Sequence, residues 1–370
     1  MSKYIYNYSD WPDFYYDSQI VMKALLPVKF QQGVVKGYLK SVGFVLRDTT
    51  ALEALTSEVV KSSEIEGEKL DLELVRSSIA RQLGLEFGGI ITTDRYIDGI
   101  VEMALDATQN YKKKLTEKRL GNWQAALFPT GRSGAHKITV GKYRNGKLGP
   151  MQIVSGVIGK EKVHFEAPNA DQVPVEMKKF LVWFNSNSAL DPVIKAAIAH
   201  LWFVTIHPFA DGNGRITRAI TDMMLTRCDE FPQRFYSMSA EIRNQRKQYY
   251  EILENTQSGS LDITEWIVWF LKCLKAALDT SEKKLKNVME KSHFWDQHSK
   301  TEFNERQRKI INKLFDGFDG KLNSSKWGKI CNCSTDTALR DIQDLMSKTI
   351  LKKEEGGGRS TSYSLVMNAN

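Results

Sequence analysis

The stretch His207 to Arg218 reads HPFADGNGRITR, and it gathers a histidine, an acid, two glycines around an asparagine, and two arginines. His207 is the one residue there that exchanges a proton near neutral pH, which suits a general base. Asp211 is the one acid, and a carboxylate beside phosphates is the usual protein ligand of Mg²⁺. Gly212 and Gly214 leave backbone N–H groups uncovered. With Asn213 as cap and a helix starting at Gly214 or Arg215, those amides and the positive helix end form an anion cradle. Arg215 and Arg218 are three apart on the first turn of that helix, where both can reach one anion. Phe209 is apolar between polar neighbours and points into the core. Together these residues describe phosphate-bond chemistry in which a base activates a hydroxyl while amides, guanidiniums and a metal hold a polyphosphate. General-base assistance of this kind contributes about 10²–10⁴-fold. A helix–loop–helix turn with surface arginines explains any one of these residues, but not eight at fixed offsets.

The elements that must hold the loop are mostly helices. Asp191-Pro192 is an N-cap and first-turn pair, and the helical run VIKAAIAHLWFVTI continues until Pro208 stops it. Residues 215–228, 240–256 and 262–290 read as further helices, and residues 19–80 are mainly helical on their three- and four-residue apolar spacing. The first eighteen residues are rich in tyrosine and tryptophan and read as a segment pinned to a core by its rings. Between Gly141 and Pro168, β-branched residues, an Asn-Gly turn at Asn145 and Gly146, and a second turn near Gly159 to Glu161 predict a short hairpin insertion. From Glu302 onward, three helical patterns are followed by two short strands around GGGR, Gly356 to Arg359. That order predicts a winged helix with the wing turn at the glycines. The expected fold is mainly α, with boundaries at residues 1–95, 96–295 and 296–370.

Composition narrows the setting. The chain has 370 residues and 42% hydrophobic content, enough for two or three domains with cores of their own. Its four cysteines, Cys228, Cys273, Cys331 and Cys333, lack secretory and zinc-site spacing, and Cys331 and Cys333 fit a helix-turn-helix core. No signal peptide or membrane span is legible, so the expectation is a cytoplasmic protein with no membrane contact. The net charge of +8 permits an anionic partner, nucleotide or nucleic acid, without choosing between them.

The loop resembles the Fic family. His207, Phe209, Asp211, Gly212, Asn213, Gly214, Arg215 and Arg218 match the whole motif HxFx[DE]GNGRxxR, and eight matches at one in twenty each give a chance agreement of roughly 10⁻¹⁰ per position. The resemblance implies a protein adenylyltransferase: His207 deprotonates a hydroxyl of a target protein or of the chain itself, which attacks the α-phosphate of the substrate ATP and expels pyrophosphate. It implies Mg²⁺ on Asp211, and phosphate contacts from the Gly212-Asn213-Gly214 turn, Arg215 and Arg218. Kinase relatives carry lysine where this chain has Gly214, which favours AMP transfer.

Ser62 and Glu66 lie four apart on one helical face, and Gly67 can end that helix. Such a pair is ordinary by itself. Beside a Fic motif it matches the family's inhibitory motif [ST]xxxE[GN], placed as in class II proteins, so Glu66 is expected to reach Arg218 and restrain the enzyme. The family also has a β-hairpin flap that pairs with an extended target segment. MQIVSGV, with Ser155, Gly156 and Val157, matches its first strand, and Val163 to Phe165 its return. Tyr249 and Tyr250, in KQYYEILENTQ, resemble nucleotide-contacting residues, with core packing as an equal alternative. The resemblance to long bacterial Fic proteins with a helical N-terminal region and a winged-helix C-terminus covers nearly the whole chain.

In the last module Ser334 is the expected cap of a recognition helix with Arg340 facing outward. Residues 301–370 hold 12 Lys or Arg against 9 Asp or Glu, an excess of 12 − 9 = 3. DNA contact and a protein-interaction or dimer-stabilising role therefore stand side by side. A homodimer is an expectation from the family. Two rivals stay open: removal of AMP at the same site, and a DNA-binding regulator that senses nucleotide.

Overall fold

A computed structural model describes residues 4–41, 43–85, 94–146, 149–156, 162–231, 234–355 and 361–366. The chain divides into two compact units, residues 1–282 and 283–370.

The centre of the first unit is a helix whose sequence is apolar all round. It spans Pro192–Ile206, and every residue from Val193 to Ile206 is buried, as expected of a helix with neighbours on every side. The Asp191 carboxylate caps it by accepting the Val193 N–H at 2.8 Å, and Pro192 occupies the first turn, where no N–H is needed. In chain order this is α7. Before it come α1 (Ser18–Ser41), α2 (Phe44–Ile65), α3 (Leu72–Leu83), α4 (Arg95–Gln109), α5 (Glu117–Leu127) and α6 (Val173–Asn185). After it come α8 (Asn213–Asp229), α9 (Met238–Asn244), α10 (Arg246–Gln257) and α11 (Thr264–Gln297). The buried His200 on α7 is paired on both ring nitrogens, with Thr221 of α8 and Tyr249 of α10, each at 2.9 Å.

Two small antiparallel pairs interrupt the helices, β1 (Arg132–Ser133) with β2 (His136–Lys137), and β3 (Gln152–Ser155) with β4 (Lys162–Glu166). The N-terminal segment is fastened to β4 by its rings. Tyr4 meets Phe165 edge-on at 5.2 Å, and the Tyr6 hydroxyl donates to the Glu166 carbonyl at 2.8 Å. Trp11 packs on Trp202 and donates to Glu176 at 2.7 Å.

Four local expectations change. Asn145-Gly146 joins no two strands among the described residues; strand pairing starts only at Gln152. The neighbouring Arg144 is instead buried against the loop that follows α7, where it takes the His207 carbonyl as a backbone partner, so that segment is a buckle. The β1–β2 pair carries no β-branched run and was not legible in sequence. The helix expected over 240–256 breaks at Gln245 (φ −108°, ψ 27°), and the next residue, Arg246, reaches the Ile65 carbonyl at 2.8 Å. Helix α8 starts at Asn213, because the Asn213 side chain is used elsewhere and Gly212 becomes the cap position. The turn at Gly159 to Glu161, Val157, and Gly356 to Arg359 lie outside the described residues.

The second unit contains α12 (Glu305–Phe315), α13 (Ser324–Cys331) and α14 (Thr335–Ser347), then the antiparallel strands β5 (Leu351–Lys353) and β6 (Tyr363–Leu365). Ile310, Ile311, Trp327, Ile342, Leu345 and Ile350 make its core, and Cys331 and Cys333 pack at the edge of it. Asn304 and Gln307 form a reciprocal capping box on α12, and Ser334 caps α14. Arg340 is exposed on α14.

Candidate active site

The loop between α7 and α8 is a tight turn at both ends. His207 closes α7 in the left-handed region (φ 52°), and Gly212 opens α8 in the same region (φ 87°). A side chain on Gly212 would meet Leu127 and Phe128 at 3.0 Å in a backbone conformation that disfavours any Cβ, so only glycine fits. The Asn213 amide holds the turn from inside. Its Oδ1 accepts from Phe209 N–H at 2.9 Å and its Nδ2 donates to the Phe209 carbonyl at 2.8 Å, with the residue 2% exposed. That corrects its expected role: the side chain is a clip for the loop, and what Asn213 can offer a phosphate is its backbone N–H in the first turn of α8. Phe209 is fully buried, as its apolar character requires.

His207 keeps one nitrogen for chemistry. Its Nδ1 lies 3.1 Å from the Val204 carbonyl, which can only accept. The proton therefore sits on Nδ1, and Nε2 is left with its lone pair. Burial pushes the imidazole down to about 4, with Arg144 adding to the shift and the Val204 bond opposing it. The ring is thus neutral at physiological pH. Arg144 also braces the loop backbone: its Nε donates to the His207 carbonyl at 2.8 Å and its backbone N–H to the Pro208 carbonyl at 2.8 Å.

His207, Asp211, Gly212, Asn213, Gly214 and Arg215 line one cavity of about 900 Å³, together with Glu66 and, across it, Ser155, His164 and Glu254. The Asp211 carboxylate is oriented by two donors, Gly212 N–H at 2.6 Å and the Ser133 hydroxyl of β1.

The two arginines do not share one partner. Arg218 is 3% exposed and takes three contacts from the end of α2: Ser62 Oγ at 2.8 Å, the Ser62 carbonyl at 2.9 Å and Glu66 Oε1 at 2.8 Å. Burial, the largest single influence, works against the guanidinium charge, but the charge and hydrogen bond of Glu66 together with nearby Tyr249 and Tyr250 outweigh it and the pKa ends above the ordinary value. The remaining Nη1 of Arg218 is buried with no hydrogen-bond partner among the described residues, a donor aimed where an anion is wanted. Glu66 is the cap residue of α2, and Gly67 (φ 89°) turns the chain away behind it. Gly214 makes this approach possible: a Cβ there would stand 2.0 Å from Glu66 Oε1.

Arg215, also 3% exposed, pairs with Glu68 at 2.9 Å and the Tyr96 hydroxyl at 2.7 Å, and its guanidinium lies over the Phe128 ring. Sequence reasoning passed over Glu68. The only available signal was a second acid two residues beyond Glu66, which by itself looks like ordinary solvated charge. Ser133, Arg144, Arg246, His164 and Glu254 were missed because each reaches the site from a distant element. Both tyrosines line the cavity; Tyr249 is 2% exposed with its hydroxyl on His200, so it also packs in the core, while Tyr250 is 36% exposed. Ser155 and Gly156 lie at the end of β3, and Ser155 faces the cavity.

The comparisons agree with this geometry. The Fic/DOC family profile matches residues 114–225, from the start of α5 through most of α8. A second profile, described as a domain of unknown function (DUF4172), matches residues 4–85. The protein adenylyltransferase Fic of Drosophila virilis is 26% identical over 238 residues, covering 61% of this chain and 42% of the relative. That of Drosophila mojavensis is 34% identical over 114 residues, covering 30% and 21%. The chain thus spans less than half the length of these curated relatives. In fold it is similar to a crystal structure of a Fic family protein from Desulfovibrio desulfuricans (TM-score 0.54, 20% identity, 96% of this chain and 98% of that one). It is also similar to a Fic domain containing signaling protein from Bacteroides thetaiotaomicron (TM-score 0.53, 20% identity, 71% and 97%). The Fic/DOC profile covers every residue of HPFADGNGRITR and most of the helix that follows it, so it is the segment 114–225 of this chain that matches the Fic/DOC family.

Proposed function

We propose that this chain is a protein adenylyltransferase that moves AMP from ATP to a hydroxyl of a target protein and is restrained by Glu66. The observation that carries this reading is a neutral histidine with an open Nε2 in the same cavity as a helix N-terminus, Arg215 and Glu66, with Glu68 occupying Arg215 and Glu66 occupying the buried Arg218. The names of the curated relatives support it at the family level.

In this reading His207 Nε2 takes the proton of the acceptor hydroxyl as its oxygen attacks the α-phosphorus, and pyrophosphate leaves. The first-turn amides of α8, Arg215 and Arg218 hold the phosphates and neutralise the charge that develops. Glu66 occupies Arg218, so ATP docks with its phosphates out of line until that carboxylate moves. An Mg²⁺ ion fits the hard carboxylate of Asp211, whose orientation is already set by Ser133 and Gly212. No group of three His, Cys, Asp or Glu that could hold a metal occurs among the described residues, so the ion would share its shell with the phosphates of ATP. Bound there it would neutralise phosphate charge.

We extend the proposal to residues 302–366 as a winged helix, with α14 as the helix that would meet DNA. The three helices, the terminal strand pair and the exposed Arg340 support this.

Purified chain, ATP labelled on its α-phosphate, Mg²⁺ and cell lysate provide the test. Glu66→Gly should label lysate proteins far more than wild type, and His207→Ala should not label them. Label carried only by a γ-phosphate, or equal labelling by wild type and Glu66→Gly, would overturn the reading. Loss of AMP from a pre-modified protein without transfer would favour the removal activity instead.

A further inference from the structure

The cavity that His207 lines also carries a hydrogen-bonded chain of three side chains. Ser155 on β3 lies 2.6 Å from His164 Nε2 on β4, and His164 Nδ1 lies 2.7 Å from Glu254 Oε2 on α10. Ser155 pairs in register with Lys162, while His164 falls at the irregularity between the Val154–Val163 and Ile153–Phe165 pairs, and its side chain reaches Ser155. Lys162 adds an ion pair to Glu254 at 3.5 Å.

The direction of these bonds follows from the groups themselves. The Glu254 carboxyl is held below its usual range, chiefly by the His164 bond, so it is an acceptor only. In the neutral imidazole the proton therefore sits on Nδ1, and Nε2 accepts from Ser155. An exposed serine hydroxyl is thus aimed at a base that a carboxylate orients, the arrangement that makes an oxygen nucleophilic. It faces the cavity that the phosphate cradle faces.

Resting on the AMP-transfer reading above, we propose that Ser155 is a self-modification site: an acceptor for AMP whose hydroxyl is activated by His164 and positioned by Glu254. Ser155 Oγ attacks the α-phosphorus of ATP, and its proton passes to His164 Nε2. As the Oγ–P bond forms, the bond from the α-phosphorus to the bridging oxygen of the β-phosphate breaks. Pyrophosphate leaves with that electron pair, and a serine phosphodiester of AMP remains on β3.

The sequence around Ser155 makes the site readable. Trypsin cutting after Lys147 and Lys160 releases LGPMQIVSGVIGK, in which Ser155 is the one hydroxyl. Full-length Glu66→Gly is incubated with α-labelled ATP, Mg²⁺ and cell lysate, and the adduct on this peptide is measured against label on lysate proteins in the same tube. We expect an adenylyl adduct on Ser155, absent when Ser155→Ala is added. Adding His164→Ala should lower the ratio of Ser155 adduct to lysate label at least about tenfold, and Glu254→Gln should lower it severalfold. A general loss of folding would lower both signals and leave the ratio unchanged. Lysate labelling with an unmodified 148–160 peptide overturns this inference and leaves AMP transfer standing. An undiminished ratio in both the His164 and Glu254 variants overturns the activation of Ser155. No label on any protein overturns the transfer reading and this site with it.

Discussion

Glu66 Oε1 accepts from Nη2 of Arg218 at 2.8 Å across 152 residues of chain, and the Ser62 hydroxyl and carbonyl complete the grip on the same guanidinium. The arginine is 3% exposed at its side chain and the glutamate 32%, so the contact holds a buried charge with a partner that can still leave. Removing the glutamate strands that charge. In Glu66→Gly without nucleotide the loss should be about 1–3 kcal/mol once exposure of the carboxylate is allowed for. ATP then supplies the missing anion, so it should raise the melting temperature of Glu66→Gly more than that of wild type, while transfer rises by about tenfold or more. Thermal melts with and without ATP, beside initial rates, check both. Equal ATP shifts in the two proteins would show that Glu66 and phosphate do not compete at Arg218.

His207 should work as a base well into acid. An imidazole at the ordinary value near 6.5 is about nine-tenths protonated at pH 5.5, whereas burial leaves this one titrating at about 4. For Glu66→Gly, kcat/KM at pH 5.5 should therefore stay within about twofold of its value at pH 7.5, since this parameter reports the free enzyme. A roughly tenfold fall would place the base at the ordinary value. His207→Ala should lose at least about 100-fold in transfer to lysate proteins.

Glu68 holds Arg215 as Glu66 holds Arg218, but with a more exposed carboxylate, 40% against 32%. Glu68→Gln should raise transfer by about threefold, less than Glu66→Gly, because a solvent-screened contact is weaker. The double variant should exceed either single one. Initial rates of the four proteins decide; a rate below wild type for Glu68→Gln would mean that the Glu68 charge supports the site.

Asn213 is a clip, so its loss should be felt as stability. Asn213→Ala leaves both backbone groups of Phe209 buried and unpaired, at about 2–4 kcal/mol for the two. Asn213→Asp can still accept from the Phe209 N–H and should lose less. Urea unfolding of the three proteins gives the order, which would be reversed if the amide served chiefly to bind phosphate.

His200 ties stability to pH. Burial holds its imidazole down to about 3, while an unfolded histidine titrates near 6.5. Between those values the unfolded chain binds more protons, so stability is complete above about 6.5 and falls as pH drops toward 3. The urea midpoint should be lower at pH 5 than at pH 7.5. His200→Gln, which does not titrate, should narrow that difference.

Much of the fold could be read locally. Asp191 and Pro192 start α7 by a capping bond and a fixed φ, and Ser334 caps α14 in the same way, because these signals act within a few residues. The chemistry of HPFADGNGRITR was legible because glycines, an acid and a histidine at fixed offsets meet few other demands. The misreadings came where a side chain had two uses. Asn213 reads as a helix cap by type, but the tight turn brings Phe209 back within its reach, and the amide serves the loop. Tyr249 and Tyr250 are alike in sequence and both line the cavity, but the bond to His200 of α7 goes with burial of Tyr249, whereas Tyr250 stays exposed.

The amino-acid sequence alone determined the make-up of the HPFADGNGRITR loop, the mainly α architecture and the capping of its helices, all of which rest on residues close together in the chain. The inhibitory-motif resemblance already pointed Glu66 at Arg218, and the 2.8 Å ion pair bears that contact out. Tertiary structure decided what meets the other clamp: Glu68, just beyond α2, takes Arg215. It likewise decided that Ser155, His164 and Glu254 form one line of hydrogen bonds. Side-chain contacts across such separations depend on how helices and a hairpin pack, and no spacing in a linear sequence encodes them.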